Sequence, residues 1–242
     1  MGQAVFKQKS GLEALVLVGA CGVVTPGQFK GLAERLDELG VAALKFTTRQ
    51  TLVLLLPAEN VAAACAAAEE LGWRVGTFGN TFRNVKACCG REDLCPKNIT
   101  EVLDLGIEIQ DKYYGRPLPR DFKVALAGCA RGCTDPYCAD FGVRARQGGA
   151  YEVAVGGRGS TLNPRHGTVI AENISREGVF AVLEFVLEKY QGLAKPKERV
   201  LHVIDRVGIE PFVPDPAWLV QYQVEKDEEP PKEKQSQKES KR

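Results

Sequence analysis

The sequence predicts an α+β fold, because short apolar runs typical of strands are interleaved with amphipathic segments typical of helices. The chain has 242 residues, of which 44% are hydrophobic, so it can bury one large core or two modest ones. It should therefore fold without covalent cross-links. The character of the sequence changes near residue 81, where cysteines and glycines appear, and this change predicts two folded domains.

The first eighty residues alternate between strand and helix patterns. In chain order, the predicted elements are a strand at 14–18, a helix at 25–40 that begins with Thr-Pro and ends at glycine, a hairpin formed by "VAALKFTT" and "TLVLLLP", an alanine-rich helix at 58–72 and a strand at "RVGTFG". This β-α-β-β-α-β order is the ferredoxin-like split motif, in which two helices cover one face of a sheet. We therefore expect a ferredoxin-like half-domain at residues 1–80.

Residues 81–224 are predicted to form a mixed α/β domain. Its predicted elements are a helix at "KNITEVLDLGIEIQDKYYG", strands at "FKVALAG" and "YEVAVGG", a Ser-capped helix at "SREGVFAVLEFVLEKYQ" and a helix at "ERVLHVIDRVG". The last segment, residues 225–242, has six acidic and six basic side chains and no large apolar one. Such a composition cannot offset the entropy of ordering, so we expect a disordered charged tail.

The charge balance points away from nucleic acid as a partner. With 32 basic and 31 acidic residues, the chain has a formal charge of +1 and no overall field that would attract nucleic acid or an anionic membrane. The beginning of the chain is polar, and the apolar run at 14–24 is too short to span a bilayer. These features predict a cytoplasmic protein that acts on a small molecule or a protein partner.

Eight cysteines are the most informative residues of the chain. Cys21 and Cys65 stand alone and are expected to be buried as small apolar side chains. The other six lie in two loops rich in Gly and Pro, "ACCGREDLCP" and "GCARGCTDPYC", each after a predicted strand. In a reducing compartment, cysteines grouped in this way are more often metal ligands or redox groups than disulfides.

Three interpretations of the loop cysteines remain open on spacing alone. They could be core residues, but core positions follow strand or helix periodicity rather than paired loops. They could bind structural zinc, although Cys89 and Cys95 are separated by five residues, which is wide for zinc, whereas Cys129 and Cys133 fit. They could bind a [4Fe–4S] cluster, whose ligands are cysteines. The spacing favours the cluster.

The cysteine pattern and several other segments resemble those of the siroheme-dependent nitrite and sulfite reductases. The first pair, the second pair and the step Asp140-Phe141-Gly142 follow the family pattern, as do the segments "TTRQ", "RNV", "LPRDFKVALAGC", "VGGRG" and "ERVLHVIDRVGIEPF". The resemblance extends from about residue 12 to residue 212 and covers one copy of a unit that larger members carry twice. The chain is most similar to the low-molecular-weight, single-repeat sulfite reductases.

The resemblance implies a siroheme and a [4Fe–4S] cluster, and it assigns ligands to both. Cys89, Cys95, Cys129 and Cys133 would hold the cluster, and the Cys133 thiolate would also be the axial ligand of the siroheme iron. The domain at residues 81–224 would then be the siroheme and [4Fe–4S] domain.

The resemblance also implies an oxyanion pocket. Arg49 would pair with siroheme carboxylates or reach the distal face, and Thr48 and Gln50 would help to seat the macrocycle. Arg83 and Lys123 would bind the substrate and relay protons, because arginine stays charged and a desolvated lysine can give up a proton. The implied reaction is the six-electron reduction of sulfite to sulfide or of nitrite to ammonia. Ferredoxin or a similar carrier would donate electrons, with a homo-oligomer or a larger reductase complex as candidate assemblies.

Some positions depart from the resembled pattern. Val16 and Val18 stand on the first strand where catalytic members usually carry arginine, and Asp121 stands where they tend to carry lysine. Cys88 is adjacent to Cys89 and could replace it as first ligand, and Cys138 is an additional thiol. The missing cations favour an alternative function, an electron-transfer or tetrapyrrole-carrying subunit with a degenerate anion pocket. A zinc or cluster scaffold without a tetrapyrrole is a third hypothesis.

Overall fold

A computed structural model describes residues 2–224, so the predicted tail at 225–242 lies outside the described residues. The strands are β1 (Gly2–Gln3), β2 (Val5–Lys7), β3 (Glu13–Val18), β4 (Ala43–Phe46), β5 (Thr51–Leu56), β6 (Arg74–Val75), β7 (Thr77–Phe78), β8 (Lys86–Ala87), β9 (Val124–Ala127), β10 (Phe141–Ala145), β11 (Tyr151–Val155) and β12 (Thr168–Ile174). The helices are α1 (Pro26–Ala33), α2 (Val61–Glu70), α3 (Leu103–Tyr113), α4 (Arg176–Leu193), α5 (Val200–Val207) and α6 (Pro216–Leu219). This confirms the predicted α+β class.

The first sheet has the predicted ferredoxin-like arrangement. Its strand order is β2-β3-β5-β4, all antiparallel, and β6 also pairs with β3. Leu15 and Leu17 of β3 lie opposite Leu54 and Leu52 of β5 and are fully buried in a core that also contains residues of α2. Because side chains alternate across a strand, Val16 and Val18 project from the opposite face of β3.

Two predicted elements of this part differ in extent. The helix predicted at 25–40 is regular only as far as Ala33, although Thr25 caps it as expected, in a capping box with Gln28. The strand predicted at "RVGTFG" is divided into β6, which pairs with β3, and β7, which pairs with β1. Gly76 lies at the division, where a Cβ atom would be 2.9 Å from the Ala4 Cβ and 3.0 Å from the Val16 oxygen. The backbone at residue 76 therefore passes too close to Ala4 and Val16 to leave room for a side chain.

The second sheet has the order β12-β11-β10-β9-β8. Strands β8, β9 and β10 are parallel, and β10, β11 and β12 are antiparallel. Its core includes apolar side chains from α3, α4 and α5, together with Phe82, Phe122, Phe141 and Tyr190. The sequence predicts β9, β11 and these three helices, but it does not predict β8, β10 or β12. Within residues 2–224, no helix has the length and apolarity needed to cross a bilayer.

The parallel pair β8 and β9 positions the candidate site. Both strands end where a cysteine loop begins, at Cys88 and at Gly128-Cys129. Arg83 and Lys123 precede the same two strands at their other end, where the Arg83 amide N–H donates to the Phe122 carbonyl oxygen at 2.9 Å. Parallel pairing therefore brings the thiols together at one end and the predicted cations together at the other.

Candidate functional site

The two cysteine loops contact each other through glycine. A Cβ atom at Gly128 would lie 3.0 Å from the Gly90 Cα and 2.2 Å from Oδ1 of Asn98, so only glycine allows this approach. The Gly128 amide N–H donates to the Cys88 sulfur at 3.1 Å. All eight cysteines are free thiols. The loops thus bring thiols and backbone donors together, which is the donor set of an iron–sulfur cluster.

The predicted ligands differ in exposure. Cys89 and Cys133 are exposed, whereas Cys95 and Cys129 are partly buried. Among the residues that the structure describes, no three His, Cys, Asp or Glu side chains converge closely enough to hold a single metal ion. The zinc hypothesis therefore gains no support from the arrangement. Cysteines that bind different irons of one cluster do not need to converge on a single point.

Cys88, the alternative first ligand, lies nearer to the second pair than its sequence position indicates. Burial raises the pKa of the Cys88 thiol; the Gly128 amide opposes this shift, and Cys133 and Cys129 reinforce it. The hydrogen bond from the Gly128 amide places the Cys88 sulfur beside the start of the loop that carries both second-pair cysteines. The isolated cysteines are buried as predicted: Cys21 is 3% exposed and Cys65 is 8% exposed. Burial raises the pKa of Cys21 to about 12, so it stays a neutral thiol.

The "TTRQ" turn of the first sheet is bound along β8. The Gln50 side chain donates to the Ala87 oxygen at 2.6 Å and accepts from the Ala87 amide at 3.0 Å. Nδ2 of Asn84 donates to the Arg49 oxygen at 2.6 Å, and the Arg49 guanidinium donates to the Asn84 backbone oxygen. Burial lowers the pKa of Arg49 to about 10. Thr48 is exposed, and Thr47 rather than Thr48 makes the side-chain hydrogen bond to Thr51, at 2.7 Å.

Arg49 and Arg83 line a small cavity of about 220 Å³ between the two sheets. Val16 and Val18 of β3 line it as well, with Thr77 and Tyr114. The positions where the resembled pattern has arginine therefore face the cavity that Arg49 and Arg83 line, and here they contribute methyl groups. A second cavity, of about 350 Å³ and mostly apolar, lies between the "TTRQ" turn and the first cysteine loop. Its lining includes Gln50, Phe46, Cys88, Cys89 and Leu94.

Lys123 is held in place by a buried ion pair that motif comparison did not identify. The Lys123 amide N–H donates to Oδ2 of Asp140 at 2.9 Å, and Asp140 is fully buried. Nη2 of Arg199 donates to both Asp140 oxygens, at 2.9 and 2.8 Å. Burial lowers the pKa of the Lys123 ammonium, and the Arg199 charge acts in the same direction. The signal was present in the sequence, because Asp140 and Arg199 belong to two of the resembled segments, but their contact was not predictable.

Asp121 lies beside Arg83 and Lys123. Its Oδ2 atom is 3.8 Å from Nη1 of Arg83 and 3.5 Å from Nζ of Lys123. The structure therefore brings together Arg83, Lys123 and the acid that replaces an expected lysine. The additional thiol, Cys138, lies apart from this group. It borders a cavity of about 430 Å³ with Arg158, Arg165 and His166.

Comparisons with known proteins identify both parts of the chain. A family model described as nitrite and sulphite reductase 4Fe-4S domain matches residues 78–214, which is more than half of the chain. A second, described as nitrite/sulfite reductase ferredoxin-like half domain, matches residues 6–71.

Individual relatives differ in length and in name. The chain is 27% identical over 198 residues to an assimilatory-type sulfite reductase of Nitratidesulfovibrio vulgaris, covering 81% of this chain and 88% of that protein. It is 29% identical over 204 residues to the NAD(P)H nitrite reductase of Bacillus subtilis, covering 84% of this chain but only 25% of the relative. It is also 24% identical over 183 residues to a cobalt-factor III methyltransferase of Priestia megaterium, covering 76% of this chain and 32% of that protein.

Two solved structures share the fold. Dissimilatory sulfite reductase I matches with a TM-score of 0.74 and 15% identity, covering 90% of this chain and 72% of that one. The NirA protein of Mycobacterium tuberculosis matches with a TM-score of 0.70 and 20% identity, covering 87% of this chain and 41% of that one. At such identities the likeness establishes the fold alone.

Proposed function

The chain belongs to the nitrite and sulphite reductase 4Fe-4S domain family, a family of oxidoreductases, and from this premise we propose that it reduces nitrite or sulfite with a siroheme and a [4Fe–4S] cluster. One observation carries the proposal: strands β8 and β9 have cysteine loops at one end and the cations Arg83 and Lys123 at the other. Because β8 is only two residues long, both sets of groups lie close to the same short strand pair, and a six-electron reduction of an anion needs an electron-carrying cluster and cationic groups near one substrate.

The cysteine loops fit an iron–sulfur cluster, and the proposed ligands are Cys95, Cys129, Cys133 and one of the adjacent pair Cys88 and Cys89. Cys89 preserves the five-residue gap to Cys95, whereas the hydrogen bond from Gly128 and the proximity to the second pair support Cys88. Cys133 is exposed, as a thiolate that also binds the siroheme iron would need to be. When bound, the siroheme and the cluster would supply electrons and a metal centre to the substrate.

The chain's own side chains would handle the anion and its protons. Arg83 lines the cavity of about 220 Å³ and offers a permanently charged guanidinium to an oxyanion. Lys123, whose pKa is lowered by burial, gives up a proton more readily than an exposed lysine. The Arg49 side chain already donates to Asn84, so its role in seating a macrocycle is to hold the "TTRQ" turn, together with Gln50, against β8, while the exposed Thr48 would contact the macrocycle directly.

Nitrite and sulfite are both candidate substrates, and ferredoxin or a similar carrier is the proposed electron donor. We propose a cytoplasmic location, a boundary near residue 80 between the ferredoxin-like half-domain and the siroheme and [4Fe–4S] domain, and assembly as a homo-oligomer or within a larger reductase complex. The chain spans only a quarter of the length of the Bacillus relative.

The test is an absorption spectrum and a turnover assay on protein purified without oxygen. Siroheme gives bands in the red that zinc and a bare cluster do not, and a reduced viologen supplies electrons for nitrite or sulfite. Arg83→Ala and Lys123→Ala should each lower turnover by roughly a hundredfold or more, as expected when a charge-stabilising or proton-donating group is removed. Both variants should keep their cofactors. Activity that is indifferent to both substitutions would refute the assignment of these residues.

A second candidate function is an electron-transfer or tetrapyrrole-carrying subunit. The observation that favours it is the lining of the anion cavity, where Val16 and Val18 face Arg49 and Arg83. The similarity to a protein named as a methyltransferase also indicates that this domain type is not confined to proteins named as reductases. If the holoprotein reduces neither anion while its cluster exchanges electrons with ferredoxin, this second function replaces the first.

A further inference from the structure

The Asp121 carboxylate lies among three cationic side chains. In addition to its contacts with Arg83 and Lys123, its Oδ1 atom is 3.2 Å from Nε of Arg120. Only 17% of the Asp121 side chain is exposed, so solvent and salt screen these attractions less than those of a surface pair. Two of the three cations are those to which the proposed function assigns the substrate, and the present inference rests on that function.

We propose that Asp121 is an internal counter-anion that determines which anions the site accepts. Its carboxylate takes the place among Arg83, Lys123 and Arg120 that a substrate oxyanion would otherwise take. An entering anion must therefore displace the carboxylate or bind beside it.

Two acids contact Lys123 in the described part of the chain, Asp121 and Asp140, and of these Asp121 is the one that would repel an entering anion. Asp140, the other acid near Lys123, is neutralised by Arg199 through two hydrogen bonds. The Arg83 guanidinium lies 5.3 Å from the centre of the Phe78 ring, a neutral contact. Val16 and Val18 add no charge on the opposite wall of the cavity.

The consequence for specificity follows from Coulomb's law. The repulsion energy between Asp121 and an entering anion is proportional to the charge of the anion, so it is twice as large for a dianion as for a monoanion. Because a binding constant depends exponentially on energy, the factor by which Asp121 weakens dianion binding is the square of the factor for a monoanion. For a partly screened charge about 6 Å away, we expect about tenfold for a monoanion and about a hundredfold for a dianion. Asp121 should therefore shift the preference of the site toward singly charged oxyanions, relative to the same site without this carboxylate.

Calorimetric titration of the holoprotein with nitrite and with sulfate tests this inference at constant ionic strength. Sulfate is a dianion that need not react, so the measurement is independent of turnover. Asp121→Asn keeps the shape and removes the charge, and Asp121→Glu keeps the charge. Glu34→Gln is the matched control, because it removes one negative charge from an exposed pair with Lys30 on α1.

The expected result is that Asp121→Asn tightens nitrite binding about tenfold and sulfate binding about a hundredfold, while Asp121→Glu and Glu34→Gln match the unaltered protein. Equal factors for the two anions, weaker binding in Asp121→Asn, or no anion binding by any form would overturn the inference. If Asp121→Asn does not fold, Asp121→Ser removes the same charge with a smaller side chain, and equal factors for nitrite and sulfate in that variant contradict the proposal. Failure of nitrite and sulfite reduction, with the expected binding factors, would refute the proposed function and leave this inference intact.

Discussion

Removal of Arg199 should destabilise the protein severely, and the loss should depend on pH. Arg199 is the charged side chain that donates to both oxygens of Asp140, which is 0% exposed. In Arg199→Met the apolar stem remains but the carboxylate is left buried without its counter-ion. Breaking a buried pair in this way costs about 3–5 kcal/mol, which for a chain of this size lowers the Tm by about 10 °C.

The pH dependence follows from the protonation of Asp140. Burial raises the pKa of this carboxyl, and Arg199 opposes that shift, so the variant should have a higher folded-state pKa than the unaltered protein. A folded-state pKa above the unfolded value means that the folded variant binds a proton more readily than the unfolded chain. Its stability should therefore recover as the pH falls through the folded-state pKa, and the full loss should be present above it.

Urea denaturation of the two proteins from pH 5 to pH 8 measures this loss. Arg74→Met is the control, because Arg74 contacts Asp111 at 2.5 Å with both side chains about half exposed, and such a pair contributes about 0–1 kcal/mol. Asp140→Asn combined with Arg199→Met should restore part of the stability, since no charge is then buried. A loss below about 1 kcal/mol at pH 7, or one that does not change with pH, would refute the reasoning.

Three further predictions address the cofactor loops and the turn that faces them. Cys95→Ser should lose both iron and acid-labile sulfide, which should otherwise approach four of each per chain for a [4Fe–4S] cluster; iron analysis that finds full occupancy would exclude Cys95 as a ligand. Of Cys88→Ala and Cys89→Ala, only one should lose the cluster: loss in Cys89→Ala agrees with the sequence spacing, and loss in Cys88→Ala agrees with the contacts of Cys88. Gln50→Ala should destabilise the protein by at least about 2 kcal/mol in urea denaturation, because it leaves the Ala87 amide and carbonyl groups, on a residue 2% exposed, without partners; an unchanged midpoint would show that water replaces the amide.

The sequence predicted the elements whose patterns are local. The hairpin of β4 and β5 and the helices α2, α4 and α5 follow from periodicity and capping over a few residues. Strand β10 follows the second cysteine loop directly and lies between β9 and β11, and β12 pairs with β11. These two segments are strands because of the neighbours they pair with, and their own residue patterns do not predict them. The "RVGTFG" segment was read as one strand, because a division at Gly76 becomes visible only when Ala4 and Val16 lie beside it.

For the candidate site, the residue types can be predicted from the sequence: loop thiols, together with an arginine and a lysine in segments that resemble one reductase family, to which the chain belongs. Which of these groups meet becomes visible in the fold. The fold placed Asp121 among three cations, paired Asp140 with Arg199 across 59 residues, and turned Cys88 toward the second cysteine loop. The type of a residue fixes what its side chain can donate, accept or bind. Burial and charge pairing, in contrast, depend on the distances between segments that are far apart in the chain, and packing sets those distances.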